Sequence, residues 1–205
     1  PGPESAAELV PLWKKAFEIT KNPNDIRRLF GALVEYPAPE TLALMKEWEK
    51  HPTHGALAKN YSATLAKSIQ GIAEIKPGED LKGNKARVRG DGGAAINSFL
   101  SSLTGWLSPE TYFSWYFKVS EAGEYAFEVD QATLREEPSE FVVYLGGATL
   151  KGQSKTTPTL EQFVPVRLEG TVTLQPGQIY SLSLVAGRTI QPRMMDIGAV
   201  RLVKP

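Results

Sequence analysis

From Ser114 to Val129 the chain reads Ser-Trp-Tyr-Phe-Lys-Val-Ser-Glu-Ala-Gly-Glu-Tyr-Ala-Phe-Glu-Val, two β-rich runs on either side of a short Glu-Ala-Gly turn. Aromatic and β-branched residues suit a pleated surface, and so short a turn makes the two strands antiparallel neighbours. A sheet with one apolar face needs a second layer to cover it. Strand texture persists to the C-terminus: with 113–119 and 125–130 forming the hairpin, further candidates are 86–89, 141–145, 163–168, 171–174, 179–185 and 197–203. In Tyr180-Ser181-Leu182-Ser183-Leu184-Val185, leucines alternate with serines, the period of a strand with one buried and one wet face. The expected fold of this part is an antiparallel β-sandwich.

Before about residue 80 the apolar period is helical. Leu9, Leu12, Trp13, Ala16 and Phe17 form one stripe over residues 7–20, which ends at Lys21-Asn22-Pro23. Asn24 is the expected cap of a second helix with the stripe Ile26, Leu29, Phe30, Leu33 and Val34, stopped by Pro37 and Pro39. Pro39 suits the first turn of a third helix carrying Leu42, Met45 and Trp48, and a fourth over 55–73 presents Leu57, Tyr61, Leu65 and Ile69. Short connections make neighbours antiparallel. Two HEAT-like hairpins and a plain four-helix bundle both fit this pattern. The period changes near Lys76-Pro77-Gly78-Glu79-Asp80, so two domains are expected, a helical one over 1–80 and a sandwich over 84–205.

Twenty-three basic and 23 acidic residues balance, and no long basic run tracks a phosphate backbone, which argues against a nucleic-acid partner. Cysteine is absent, excluding disulfides, thiolate nucleophiles and Cys-ligated zinc. No apolar run approaches the length of a membrane span, and Pro1-Gly2-Pro3-Glu4-Ser5 is too polar for a signal peptide, which leaves an exported parent protein open. His51 and His54 lack a third ligand in sequence reach and read as part of a helix connection. Gly90-Asp91-Gly92-Gly93 lacks the rest of a nucleotide motif and reads as a turn. Glu136, Glu137 and Glu140 are too close in sequence to oppose one another across a glycosidase cleft.

Because antiparallel strands reverse at each connection, the short turns 121–123, 146–147 and 175–177 are expected at one end of the sandwich. The long segments 104–111, 131–140, 152–160 and 186–195 then gather at the other.

Gly105-Trp106, Ser114-Trp115-Tyr116-Phe117-Lys118-Val119, Ala122-Gly123-Glu124-Tyr125 and Asp196-Ile197-Gly198-Ala199-Val200-Arg201-Leu202 occur in an order that resembles jelly-roll carbohydrate-binding modules of families 6 and 35. The resemblance covers roughly residues 84–205 and implies a jelly roll that binds polysaccharide or oligosaccharide without catalysing a reaction. It further implies an accessory domain of a multidomain exported protein, extracellular or periplasmic, of a type in which helical repeats precede the sandwich in planctomycetes and verrucomicrobia. In such modules first-strand acidic residues share a structural calcium with a terminal-strand Asp. Here Asp196 alone matches and Arg87 and Arg89 occupy the first strand, so no cofactor is expected and Asp196 is at most a weak calcium candidate.

A sugar site needs an aromatic face and planar polar groups. Trp106, between Gly105 and Ser108-Pro109, either stacks on a sugar or plugs the end of the sandwich. Trp115, on a strand among aromatics, is expected in the core. Arg188, Gln191 and Arg193, with Thr189 beside them, and Gln131 and Arg135 from another loop, are the candidate hydrogen-bonding contacts. Several guanidinium groups there favour an anionic polysaccharide, and a solvated rim paired with Glu136 and Glu137 is the alternative. For the protein as a whole, the competing expectation is a structural or protein-interaction module with no glycan ligand.

Overall fold

The structure is a computed structural model that describes residues 2–91, 93–187 and 194–205. The chain divides into two compact units, Pro1–Ala73 with Gln178–Tyr180, and Glu74–Gly177 with Ser181–Pro205.

The first unit contains helices α1 (Ala6–Ile19), α2 (Pro23–Val34), α3 (Pro39–Trp48) and α4 (Gly55–Gln70). The cap of α2 is Asn22, whose side chain accepts the Asn24 N–H at 2.9 Å, and Pro23 takes the first helical position. The expected cap, Asn24, therefore lies inside the helix, because proline tolerates the position where a backbone N–H is not needed. Ile26, Phe30, Leu33, Leu44, Met45, Trp48, Ala58 and Leu65 form the buried core. Phe17 stacks on Trp48 with ring centroids 4.4 Å apart and on Phe30 at 5.8 Å. Leu12, expected in the α1 stripe, is instead 62% exposed, since α1 buries only part of its apolar arc.

The second unit begins with β1 (Glu74–Ile75) and β2 (Asp80–Lys82), continues with β3 (Arg87–Arg89), β4 (Ala95–Asn97), β5 (Ser102–Thr104), β6 (Tyr112–Val119) and β7 (Gly123–Ala132), then β8 (Glu140–Leu145) and β9 (Ala148–Gln153). β10 (Val164–Arg167), β11 (Val172–Leu174), β12 (Tyr180–Ala186) and β13 (Asp196–Val203) complete it. Among the described residues, one sheet has the order β1-β6-β12-β8-β9 with β3 also on β6. The other has the order β10-β7-β13-β5-β4, with β11 on β7 and β2 on β13. The β1–β6 pair is parallel, and the pairs β10–β7, β11–β7, β12–β8, β13–β2, β13–β5, β13–β7, β3–β6, β4–β5 and β8–β9 are antiparallel.

Strand residues thus start at Glu74, ten residues before the expected boundary. The stretch around the change of period is stitched into both sheets, Glu74 opposite Lys118 and Leu81 opposite Val200. Two or three residues per strand are too few to show a period in sequence.

Side chains of alternate residues fill the space between the sheets. Phe113, Trp115, Phe117 and Val119 of β6, Leu182 and Leu184 of β12, Tyr125, Phe127 and Val129 of β7, and Val200 and Leu202 of β13 are all buried. Trp115 is in this core, and its indole N–H donates to the Lys82 carbonyl at 2.9 Å. On the opposite face of β13, Arg201 bonds Asp80 at 2.7 Å and Asp130 at 2.8 Å, with Glu128 at 3.9 Å, tying β2, β13 and β7 together.

Candidate functional site

The long segments do meet. Thr157 donates its N–H to the Thr133 carbonyl at 2.7 Å, Ser154 to Ser139 at 2.9 Å, Gly187 to Glu140 at 2.7 Å and Met194 to Trp106 at 2.8 Å. The residues expected to face a sugar there do not all reach the surface.

Trp106 is 1% exposed. Its indole N–H lies 3.0 Å from the Ser108 carbonyl and 2.9 Å from the Thr111 carbonyl, and its ring meets Phe113 edge-on at 4.8 Å. The stacking platform expected at Trp106 is thus corrected to a plug, because both faces of the ring are packed. Gln131 is corrected as well. β7 runs on to Ala132, so the alternation Tyr125, Phe127, Val129 extends one step to place Gln131 on the core face, fully buried. Its amide nitrogen donates to the Lys155 carbonyl at 2.8 Å.

Arg135 is half-buried, and its carbonyl accepts the Thr156 hydroxyl at 2.5 Å. Arg188, Thr189, Gln191 and Arg193 lie outside the described residues. Asp196 is 2% exposed and its Oδ1 accepts the Gly105 N–H at 3.0 Å. β3, with Arg87 stacked 4.6 Å from the Tyr116 ring, belongs to the other sheet, and no group of three or more His, Asp or Glu able to hold a metal exists among the described residues.

Two other sequence motifs have structural partners. Hydrogen bonds from Ser108 and Thr111 hold the Asp91 carboxyl below the ordinary aspartate range. The Gly93 N–H donates to the Thr111 hydroxyl at 2.7 Å, so the glycine-rich turn is fastened to the segment that carries Trp106. The His51 Nδ1 accepts the N–H groups of Thr53 and His54, both at 3.2 Å, and the two imidazoles stack 5.0 Å apart.

A concavity appears at a place with no signal in the sequence. β8 ends in the Gly146-Gly147 turn, whose φ angles of 55° and 82° are the left-handed pair of a two-residue hairpin, and β9 returns as an edge strand. β10 is an edge of the other sheet, and Lys151 bridges to Glu169 just beyond it. Gly152 lets these edges approach: a Cβ there would sit 2.5 Å from the Phe141 ring and 2.7 Å from Leu168.

Between the edges lies a cleft of about 450 Å³. Glu140, Lys151, Gln153, Lys155, Arg167 and Glu169 line it, over Gly152 and Val166. Arg167 donates to the Lys204 carbonyl at 3.2 Å and lies 4.0 Å from Glu128. Donors and acceptors thus face one volume, an arrangement matched to hydroxyl groups, which do both.

No protein-family model matches this sequence, and no curated protein sequence matches it. Solved structures show the fold. An exo-β-1,3-galactanase from Phanerochaete chrysosporium, in complex with β-1,3-galactotriose, is similar at a TM-score of 0.50 and 12% identity over 63% of this chain. A cycloisomaltooligosaccharide glucanotransferase from Paenibacillus sp., complexed with cycloisomaltoheptaose, gives 0.50 and 14% over 70%. This chain spans 30% of the former and 22% of the latter. A family 35 carbohydrate-binding module from Clostridium thermocellum gives 0.48 and 10% identity, with 64% of this chain and 100% of that one covered. At these identities the likeness is one of fold, a β-sandwich.

Proposed function

We propose that the β-sandwich is a non-catalytic carbohydrate-binding module whose site is the cleft between β9 and β10, with the helical unit as a spacer or docking element of a larger exported protein. The observation that carries this reading is the convergence of donors and acceptors on one concavity of saccharide size. The fold likeness to proteins solved with bound saccharides supports it. Lys151, Lys155 and Arg167 outnumber Glu140 and Glu169, three cations against two carboxylates, which favours a carboxylated or sulfated chain over a neutral one. Arg135, Arg188, Gln191 and Arg193 are further candidate contacts on the same terms.

Affinity gel electrophoresis of the full chain against galactan, dextran, mannan, xylan and polygalacturonate tests the reading. Retardation is expected in at least one gel, strongest with polygalacturonate, and a Lys151→Ala, Lys155→Ala double variant loses it. Unaltered mobility in every gel would remove the carbohydrate reading.

A second reading, a protein-interaction module without a glycan ligand, is favoured by Phe99, which is 95% exposed in the turn between β4 and β5, with Ile96 49% exposed on the same hairpin. Single exposed aromatics of this kind anchor protein contacts. In that case the sandwich ignores all five polysaccharides, and Phe99→Ser weakens association with the neighbouring domain of the parent protein.

A further inference from the structure

The face of β8 and β9 that leads into the cleft carries an exposed aromatic ring, that of Tyr144. Side chains alternate along β8: Phe141, Val143 and Leu145 are buried at 2% exposure or less, whereas Glu140, Val142 and Tyr144 point to the other face. Tyr144 is 50% exposed although its strand is paired on both sides, opposite Ser183 of β12 and Thr149 of β9. A mid-sheet tyrosine that does not join the core and, among the described residues, leans on no other ring is an open apolar surface flanked by two hydroxyl side chains.

The register fixes what lies along the same face. The next outward row is Val142 with Lys151 and Val185, and the one after it is Glu140 with Gln153. Val142 is 8% exposed and so almost closed over by its neighbours, and the surface between the ring and the charged groups is made by Val185 and Lys151 on either side of it. Four residues along a strand span about 13 Å, more than one pyranose ring occupies. The face therefore has an aromatic group at one end, an apolar step in the middle and hydrogen-bonding groups at the end that opens into the cleft.

We propose that Tyr144 is the stacking platform of an extended saccharide track that runs over the row of Val185 and Lys151 into the β9–β10 cleft, so that the ligand is an internal stretch of a linear polysaccharide and not a single terminal sugar. This rests on the carbohydrate reading of the cleft. The C–H face of one pyranose covers the tyrosine ring, Ser183 and Thr149 take its hydroxyls, and sugars further along the chain meet Lys151, Gln153 and Glu140.

The test uses the full chain with whichever of the five polysaccharides retards it most, together with that polymer's mono- to hexasaccharides in isothermal titration calorimetry. Tyr144→Ala is expected to weaken polymer binding by about tenfold or more, and Tyr144→Trp to preserve it. Affinity is expected to rise from the monosaccharide to at least the trisaccharide. Thermal unfolding of both variants at the wild-type temperature shows that the sandwich is intact, as substitution of a half-exposed side chain should leave it. Unchanged binding by Tyr144→Ala, with binding lost in the Lys151→Ala, Lys155→Ala variant, overturns the platform and keeps the cleft. Equal affinity for monosaccharide and hexasaccharide overturns the extended track. Failure of all five polysaccharides to bind overturns both readings together.

Discussion

Replacing Trp106 separates a ligand platform from a structural plug, because the two roles predict opposite results. The indole is 1% exposed, donates to the carbonyls of Ser108 and Thr111 and packs edge-on against Phe113. Truncation of a buried tryptophan costs about 3–5 kcal/mol. Trp106→Phe keeps most of the ring but leaves both carbonyls without the indole donor, a loss of about 1–3 kcal/mol. Stability should fall in the order wild type, Trp106→Phe, Trp106→Ala, with the two variants separated by about 2 kcal/mol. Because Trp13 and Trp48 lie in the helical unit, fluorescence mixes the two units. Hydrogen exchange read peptide by peptide by mass spectrometry across a urea series isolates the amides of β6, β7 and β13, while those of α2 and α4 serve as the internal control. A Trp106→Ala sandwich within about 0.5 kcal/mol of wild type would refute the plug, and a platform residue would give that result together with lost binding.

Two further outcomes follow from the charged groups. Arg201→Met removes the bonds to Asp80 and Asp130 and leaves three carboxylates clustered; at 27% side-chain exposure the pairs contribute about 0.2–1 kcal/mol each, so urea unfolding should show a loss of roughly 0.4–2 kcal/mol that shrinks in 1 M salt, and a salt-independent loss would point to packing instead. Asp91 is held below its unfolded value, near 3.9, so its contribution is present above that pH and disappears as pH falls through the lower folded value. Asp91→Asn should therefore flatten the decline in sandwich stability as pH falls below about 4, and unfolding curves of identical slope would contradict the assignment.

Long periodic segments were legible. The stripe of α2, the β6–β7 hairpin and the leucine alternation of β12 each repeat one period often enough to identify the element. The gathering of the long loops followed from strand reversal alone. Gln131 was legible in principle, since the alternation Tyr125, Phe127, Val129 needs only one more step to put it inside. Trp106 was not, because an indole between glycine and Ser-Pro reads the same whether it lies over the end of the sandwich or under it.

The candidate site was the least legible part. β9 reads Ala-Thr-Leu-Lys-Gly-Gln, weak strand formers with only Leu150 and Gly152 buried, and it passes for a loop in the sequence. Its partner Glu140 counted only as a member of a loop cluster with Glu136 and Glu137.

The amino-acid order by itself determined that helices precede a two-layer β structure, which residues make most of its core, and where the chain turns, because those properties are set by local period and by glycine and proline. Only the tertiary structure decided which polar groups share a space. Pairing Glu140 with Gln153 and Lys151 with Glu169 depends on hairpin register and on the approach of two sheet edges, and such non-local geometry leaves no period along the chain.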